Sequence, residues 1–191
     1  MKFFRLLLLL FLALQTQSEQ LKNILFVGNS YLYYNNSVHN YVEPMLREHH
    51  GSEIETKLSA IGGSKLHHHN IDHLLNPKNL NLDQQIDLLI MQGGSTEVVS
   101  EKDQEKFIQT VQQYSAKAQK LGVKTALYMT HAFTEADRRF EPNLIKKISK
   151  TYFAAGKESN SIVIPVGLAY EIAYKERPNI KLHHVDGTHP S

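Results

Sequence analysis

At 191 residues, with 41% apolar and 21% charged side chains, the chain has the size and balance of a single globular domain. It contains no cysteine, which excludes both a disulfide framework and a lipid anchor attached through an N-terminal Cys. The formal charge of +2 rests on Lys2 and Arg5; without them 19 basic residues face 19 acidic ones, so electrostatics give no reason to expect nucleic acid or an anionic membrane surface as a partner.

Those two cations precede an apolar run from Leu6 to Leu14, a pattern that marks an export signal too short to span a bilayer. Small residues at Thr16 and Ser18 place cleavage before Glu19. The expected organisation is a signal peptide at 1–18 and one domain at 19–191, secreted or periplasmic, with no stable membrane anchor after cleavage.

Beyond the signal, short apolar runs alternate with segments of helical period. Asn23 to Gly28 reads as a strand buried on both faces. Val38, Tyr41, Val42, Met45 and Leu46 form a helical stripe, with Pro44 inside it predicting a kink or a later start. A second strand is expected near Glu53 to Ile61 and a third at Ile86 to Gln92. Ser100 with Asp103 caps a helix carrying Phe107, Val111, Tyr114, Ala118 and Leu121, which Gly122 ends. Lys124 to Met129 is the fourth strand. Pro142 opens a helix with Leu144, Ile145, Ile148, Tyr152 and Phe153 on one side, and Ser161 to Pro165 supplies the fifth strand. This alternation predicts an α/β fold, a three-layer α/β/α sandwich around a five-stranded parallel sheet, with ligands beyond the carboxyl ends of the strands.

Chemistry is therefore sought in the loops that follow the strands. Gly28-Asn29-Ser30 places a hydroxyl where a helix begins and free backbone N–H groups can stabilise an oxyanion, although a serine there also serves as a simple cap. Asp186-Gly187-Thr188-His189-Pro190 brings a carboxylate and an imidazole into one loop, the pairing a general base requires; as a bare pattern it is also a polar turn. The glycine spacings of dinucleotide and phosphate loops are absent.

In this order, the Gly-Asn-Ser block, the Gly62-Gly63 pair after strand two, the polar loop after strand three and the terminal DGTHPS resemble the SGNH/GDSL hydrolases, specifically a bacterial branch whose first block reads GNS. The resemblance spans nearly all of residues 19–191. It implies the flavodoxin-like SGNH fold, with Ser30 as nucleophile, His189 as general base and Asp186 as its orienting acid. It also implies an oxyanion hole from the N–H groups of Ser30 and Gly63, or of its neighbour Gly62. In the third block, Gln92-Gly93-Gly94-Ser95-Thr96-Glu97, Ser95 stands where relatives carry an Asn amide, so either Ser95 or Gln92 is the candidate third donor. Asn29 takes the place of the commoner Asp.

Asn29, Gln92 and His131 are candidate substrate contacts. His69 and His73, with Asp72 nearby, have a metal-like spacing, but no HExxH pattern accompanies them; a solvated helix face is the expectation and no metal or other cofactor is implied. His49 and His50 are expected to close a helix. The function implied is hydrolysis of short acyl esters, acetyl esters of glycans among them. Its rivals are acyl transfer through the same residues and a ligand-binding module with a degenerate site. The chain stops at Ser191, just after the base, where the resemblance implies one more helix. The sequence thus predicts a truncated domain with an apolar patch near its last strand and a loose Asp186/His189 loop.

Overall fold

The computed structural model describes residues 21–50 and 53–191; the expected signal segment and cleavage site lie outside them. Five parallel strands form one sheet: β1 (Asn23–Gly28), β2 (Glu55–Ala60), β3 (Leu88–Met91), β4 (Lys124–Tyr128) and β5 (Ile162–Ile164), in the order β2-β1-β3-β4-β5. Because β2 and β3 flank β1 on opposite sides, a crevice opens beyond its carboxyl end, the place where open α/β sheets bind ligands.

The strands are apolar on both faces because both faces are covered. Along β1 the side chains alternate: Leu25 and Val27 join Leu89, Met91, Leu127 and Met129 on one side, while Ile24 and Phe26 join Ile90, Ala126 and Tyr128 on the other. The first side is sealed by α4 (Glu101–Lys120) through Phe107, Val111 and Ala118, and by α5 (Leu144–Ser159) through Ile148, Tyr152 and Ala155. The second is covered by the short α1 (Ser30–Tyr33), through Leu32, and by α2 (Val38–His50). A further one-turn helix, α3 (Ile71–Leu74), lies between β2 and β3.

Several expectations change in detail. Helix α2 runs through Pro44 from its start at Val38, so the Asn40 carbonyl forgoes its usual intrahelical donor. Only Val38, Val42 and Leu46 of its stripe pack on the sheet, while Tyr41 and Met45 are exposed, because the helix touches the sheet along one narrow line. It ends at His50, as the His49/His50 pattern suggests. Leu121 caps α4 from outside, and Phe153 is 48% exposed, turned away from Tyr152 onto a groove lined by Gly156, Ile162 and Val163. Exposed Ile162 with Phe153 forms the apolar patch expected beside the last strand. A helix with no counterpart in the sequence analysis, α6 (Val166–Glu176), follows β5 directly; its apolar residues keep no single stripe that periodicity could reveal.

The histidine run does not form one solvated helix face. His67 and His68 belong to a 3-10 turn, His69 adopts an extended conformation, and His73 sits in α3. His69 turns inward, with Nε2 3.2 Å from Ser64 Oγ, and its carbonyl accepts from Tyr114 Oη at 2.6 Å. Among the described residues no group of three or more His, Cys, Asp or Glu side chains could hold a metal ion, and no helix is long and apolar enough to cross a membrane.

The packing makes a direct comparison available. Phe107→Ala, in the sealed layer, should lower the unfolding free energy by about 3–5 kcal/mol in denaturant titrations. Phe153→Ala should cost about 1 kcal/mol or less, being half in solvent already.

Candidate active site

The loops leaving β1, β2, β3 and β4 meet the C-terminal segment around a pocket of about 400 Å³. Ser30 opens α1, and Asn29 before it is the helix cap, its Oδ1 accepting from Tyr31 N–H at 3.1 Å. His189 comes back from the far end of the chain to put Nε2 2.9 Å from Ser30 Oγ. Its Nδ1 lies 2.6 Å from Asp186 Oδ2, an oxygen that accepts, so Nδ1 is the donor of this pair and Nε2 faces the serine. Ser30, His189 and Asp186 thus form one hydrogen-bonded line. Burial alone would raise the Asp186 carboxyl pKa, but the His189 ring and the N–H groups of His189 and Thr188, at 3.0 and 2.9 Å from Oδ1, hold it well below the usual carboxylate range.

The base loop is not loose. His184 N–H donates to the His189 carbonyl at 2.7 Å, Thr134 N–H to the Gly187 carbonyl at 2.9 Å, and Ser191 N–H to the Leu182 carbonyl at 3.1 Å. Gly187 has φ +70°, and a Cβ there would lie 2.5 Å from Thr134 Oγ1, so the close approach of this loop to the β4 loop requires glycine. The imidazole is fixed in turn by Tyr34, whose ring stacks on it with centroids 3.8 Å apart and planes 11° from parallel.

The N–H groups of Ser30, Gly62 and Gly63 donate to no other group among the described residues, and all three residues line the pocket. Gly63 holds φ +68°, a turn that suits glycine and leaves its backbone uncovered. Unpaired N–H groups beside a serine hydroxyl are the donors an oxyanion would need. Ser95 lines the same pocket, its Oγ accepting from Arg139 Nη1 at 3.3 Å.

Three candidate contacts are buried side chains that brace the loops, and of these Asn29 also lines the pocket. Gln92 is fully buried (0% exposed) and does not line the pocket: its Oε1 accepts from Asn29 N–H at 3.0 Å and its Nε2 donates to the Gly93 carbonyl. Asn29, 4% exposed, donates through Nδ2 to the carbonyls of Ser64 at 3.0 Å and Gly93 at 3.4 Å, tying three loops together. An aspartate could not make those donations, which gives the amide a physical reason. His131, 3% exposed, is stacked between Tyr31 and Tyr170 and donates from Nε2 to the Thr188 carbonyl at 2.7 Å; burial pushes its pKa down to about 4, so it supports the base loop as a neutral ring.

Four participants carry no motif and are missed by sequence reasoning. The buried Glu97 carboxylate accepts from Leu66 N–H at 2.9 Å and from Gly94 N–H, locking the β2 loop to the β3 loop. Asp137 and Arg139, in the β4 loop, form a two-pronged pair at 2.9 and 2.6 Å, with Arg139 Cζ 4.2 Å above the Phe133 ring. Tyr34 is the fourth. The one available signal is position: a charged Asp137-Arg138-Arg139 run in a loop at the carboxyl edge of the sheet.

Neither a protein-family model nor a curated protein matches the chain. Solved structures do. A candidate SGNH hydrolase from Slackia heliotrinireducens superposes with a TM-score of 0.61 at 22% identity, covering 90% of this chain and 91% of that one. The acetyl xylan esterase AlAXEase gives 0.62 at 20% identity, over 88% of this chain and 91% of that one. A variant of Axe2, an acetyl xylan esterase from Geobacillus stearothermophilus, gives 0.61 at 14% identity, over 89% and 87%. The likeness is one of architecture: the chain has the SGNH hydrolase fold.

Two consequences can be measured. Asn29→Asp buries a carboxylate against two carbonyls and should lower stability by about 2 kcal/mol or more in chemical unfolding. Asp137 is held far below its ordinary pKa, first by the hydrogen bond from Arg139, so its contribution is present above the unfolded carboxylate range and is lost as the pH falls through the folded value. The stability deficit of Asp137→Asn should therefore be constant from about pH 5 to neutral and should shrink below about pH 4 in acid-titrated unfolding curves.

Proposed function

We propose that this protein is an exported serine esterase that removes short acyl groups, acetyl above all, from carbohydrate esters. The observation that carries the reading is the continuous line from Ser30 Oγ through His189 to Asp186 beside unpaired backbone N–H groups. Alternative roles for a serine at a helix start or an Asp-Gly turn do not require the two to meet.

The chemistry follows from the geometry. As Ser30 Oγ bonds to the ester carbonyl carbon, its proton moves to His189 Nε2 and the carbonyl π pair moves onto oxygen. Asp186 stabilises the imidazolium through the Nδ1 proton. The oxyanion is held by the N–H groups of Ser30 and Gly63. Collapse expels the alcohol, which takes the proton from His189, and water repeats the sequence on the acyl-serine, returning acid and free enzyme. Side chains, backbone and water suffice for every step.

The substrate class is supported by the pocket walls and by the neighbours. Exposed Tyr33 and half-buried Tyr34 offer aromatic faces beside Ser30, Arg139 and Thr188, a mixture suited to a sugar ring with many hydroxyls. Two of the structurally similar proteins are acetyl xylan esterases.

Purified protein should release p-nitrophenol from p-nitrophenyl acetate and acetate from acetylated xylo-oligosaccharides. Ser30→Ala should reduce both by about 10³-fold or more, while Ser149→Ala, outside the pocket, should match the parent. Equal background from all three proteins contradicts the reading and favours a ligand-binding module. Product formed only when a sugar acceptor is supplied would favour acyl transfer.

A further inference from the structure

The face of Tyr34 lies on the imidazole of His189, with ring centroids 3.8 Å apart and planes 11° from parallel. Tyr31 also meets that imidazole, but it stands at 89° with centroids 5.8 Å apart. The backbone is shaped to put Tyr34 there. Its N–H closes α1 by donating to the Ser30 carbonyl at 3.0 Å, and the chain then takes three successive left-handed residues, Asn35, Asn36 and Ser37, at φ 50°, 63° and 66°. Asparagine tolerates that region, serine less readily, and no glycine relieves the turn. Strain of this kind persists where surrounding contacts over-determine it. Here Asn35 Nδ2 donates to the Ser191 carbonyl, so the turn after Tyr34 is tied to the segment that carries His189.

An aliphatic side chain could fill the same space and hold the imidazole by contact. What an aromatic face adds is the negative side of its quadrupole, which attracts a cation much more strongly than a neutral ring. In the reaction given above, His189 becomes an imidazolium as Ser30 Oγ bonds to the ester carbon. The attraction to Tyr34 therefore grows as the transition state forms, and only interactions that strengthen there accelerate the step. The new charge arises between the Asp186 carboxylate, 2.6 Å from Nδ1, and the half-buried Tyr34 face. Tyr34 Oη makes no hydrogen bond among the described residues, so the face carries the contact and the hydroxyl does not.

We propose that Tyr34 is a positioning residue for this reaction, whose ring face both holds the His189 imidazole and stabilises the imidazolium formed when Ser30 gives up its proton. The proposal rests on the esterase reading given above. Tyr34 takes no proton and no electrons: the Ser30 proton passes to His189 Nε2 and from there to the departing alcohol, and the π face acts only while the ring is charged. Acylation and deacylation both pass through that cation, so the effect reaches kcat whichever of them limits the rate.

The test uses the full chain with p-nitrophenyl acetate and with ethyl acetate, which has no ring of its own to stack on Tyr34. Tyr34→Leu should lower kcat and kcat/KM together by about 10-fold, with KM within about 2-fold. Tyr34→Phe, which keeps the face, should recover most of that loss. Ring-fluorinated phenylalanines placed at the same position keep the shape while weakening the face, so log kcat should fall in step with the fluorine added, alike for both esters and with KM unchanged. A ring that only braces His189 would give one rate across that series, because shape and stacking are retained. The proposal is overturned by such a flat series, by a Tyr34→Leu variant as fast as the parent, or by effects confined to KM or to the p-nitrophenyl ester, which would mark Tyr34 as a substrate contact in the pocket it lines. Where Tyr34→Leu fails to fold, the fluorinated series decides by itself. If Ser30→Ala equals the parent protein, the esterase reading falls and takes this proposal with it; if Ser30→Ala is inactive while the fluorinated series is flat, only the proposal falls.

Discussion

The arrangement depends on one contact, the 2.9 Å approach of His189 Nε2 to Ser30 Oγ across 159 residues of chain. A parallel sheet makes it achievable, because every strand delivers its following loop to the same edge. The remaining requirement is that the last segment turn back over that edge and stay there. It does so through backbone hydrogen bonds to the β4 loop, an Asn35 side chain donating to the Ser191 carbonyl, and the Tyr34 ring lying flat on the imidazole. The helix that Ser30 opens and the turn after it therefore grip His189.

Beneath that contact lies a layer of buried polar groups. Asn29, Gln92 and Glu97 are among the least exposed polar side chains of the described residues, and each links two or more loops. Burying amides and a carboxylate is unfavourable unless their partners are supplied, and here backbone groups of the loops around Ser30 supply them to the amides and to Glu97 Oε2. Rigidity at the site is thus achieved through hydrogen bonds of fixed direction, with apolar packing confined to the two faces of the sheet. His131 extends the same logic: kept neutral by burial, it holds the Thr188 carbonyl between Asp186 and His189.

Much of this was legible in the residues and some was not, for physical reasons. The strands could be read because apolar runs covered on both faces have few alternatives, and Ser30, Asp186 and His189 because their pattern joins two ends of the chain in a fixed order. Phe153 and Met45 share a helical stripe with buried residues yet lie exposed, because helical spacing reports which residues share a face and is silent on how wide a strip the sheet can cover. Gln92 looked like a donor to substrate because a side chain after a strand can turn either way; Gly28, whose absent Cβ leaves room for Gln92 Oε1, decides that it turns inward. The histidine run was read at helical spacing that the chain breaks at His69. Arg139 and Asp137 had no motif at all, since their role arises from a loop whose path is set by tertiary contacts with Thr188 and Phe133.

The central claim is that Ser30 is made nucleophilic by His189, and reaction with a fluorophosphonate followed by peptide mass mapping tests it most directly. A single adduct on Ser30, lost when His189 is replaced by Ala in a protein that still unfolds cooperatively, is the predicted result. Labelling that falls on another residue, or that proceeds equally well without the imidazole, would contradict the account.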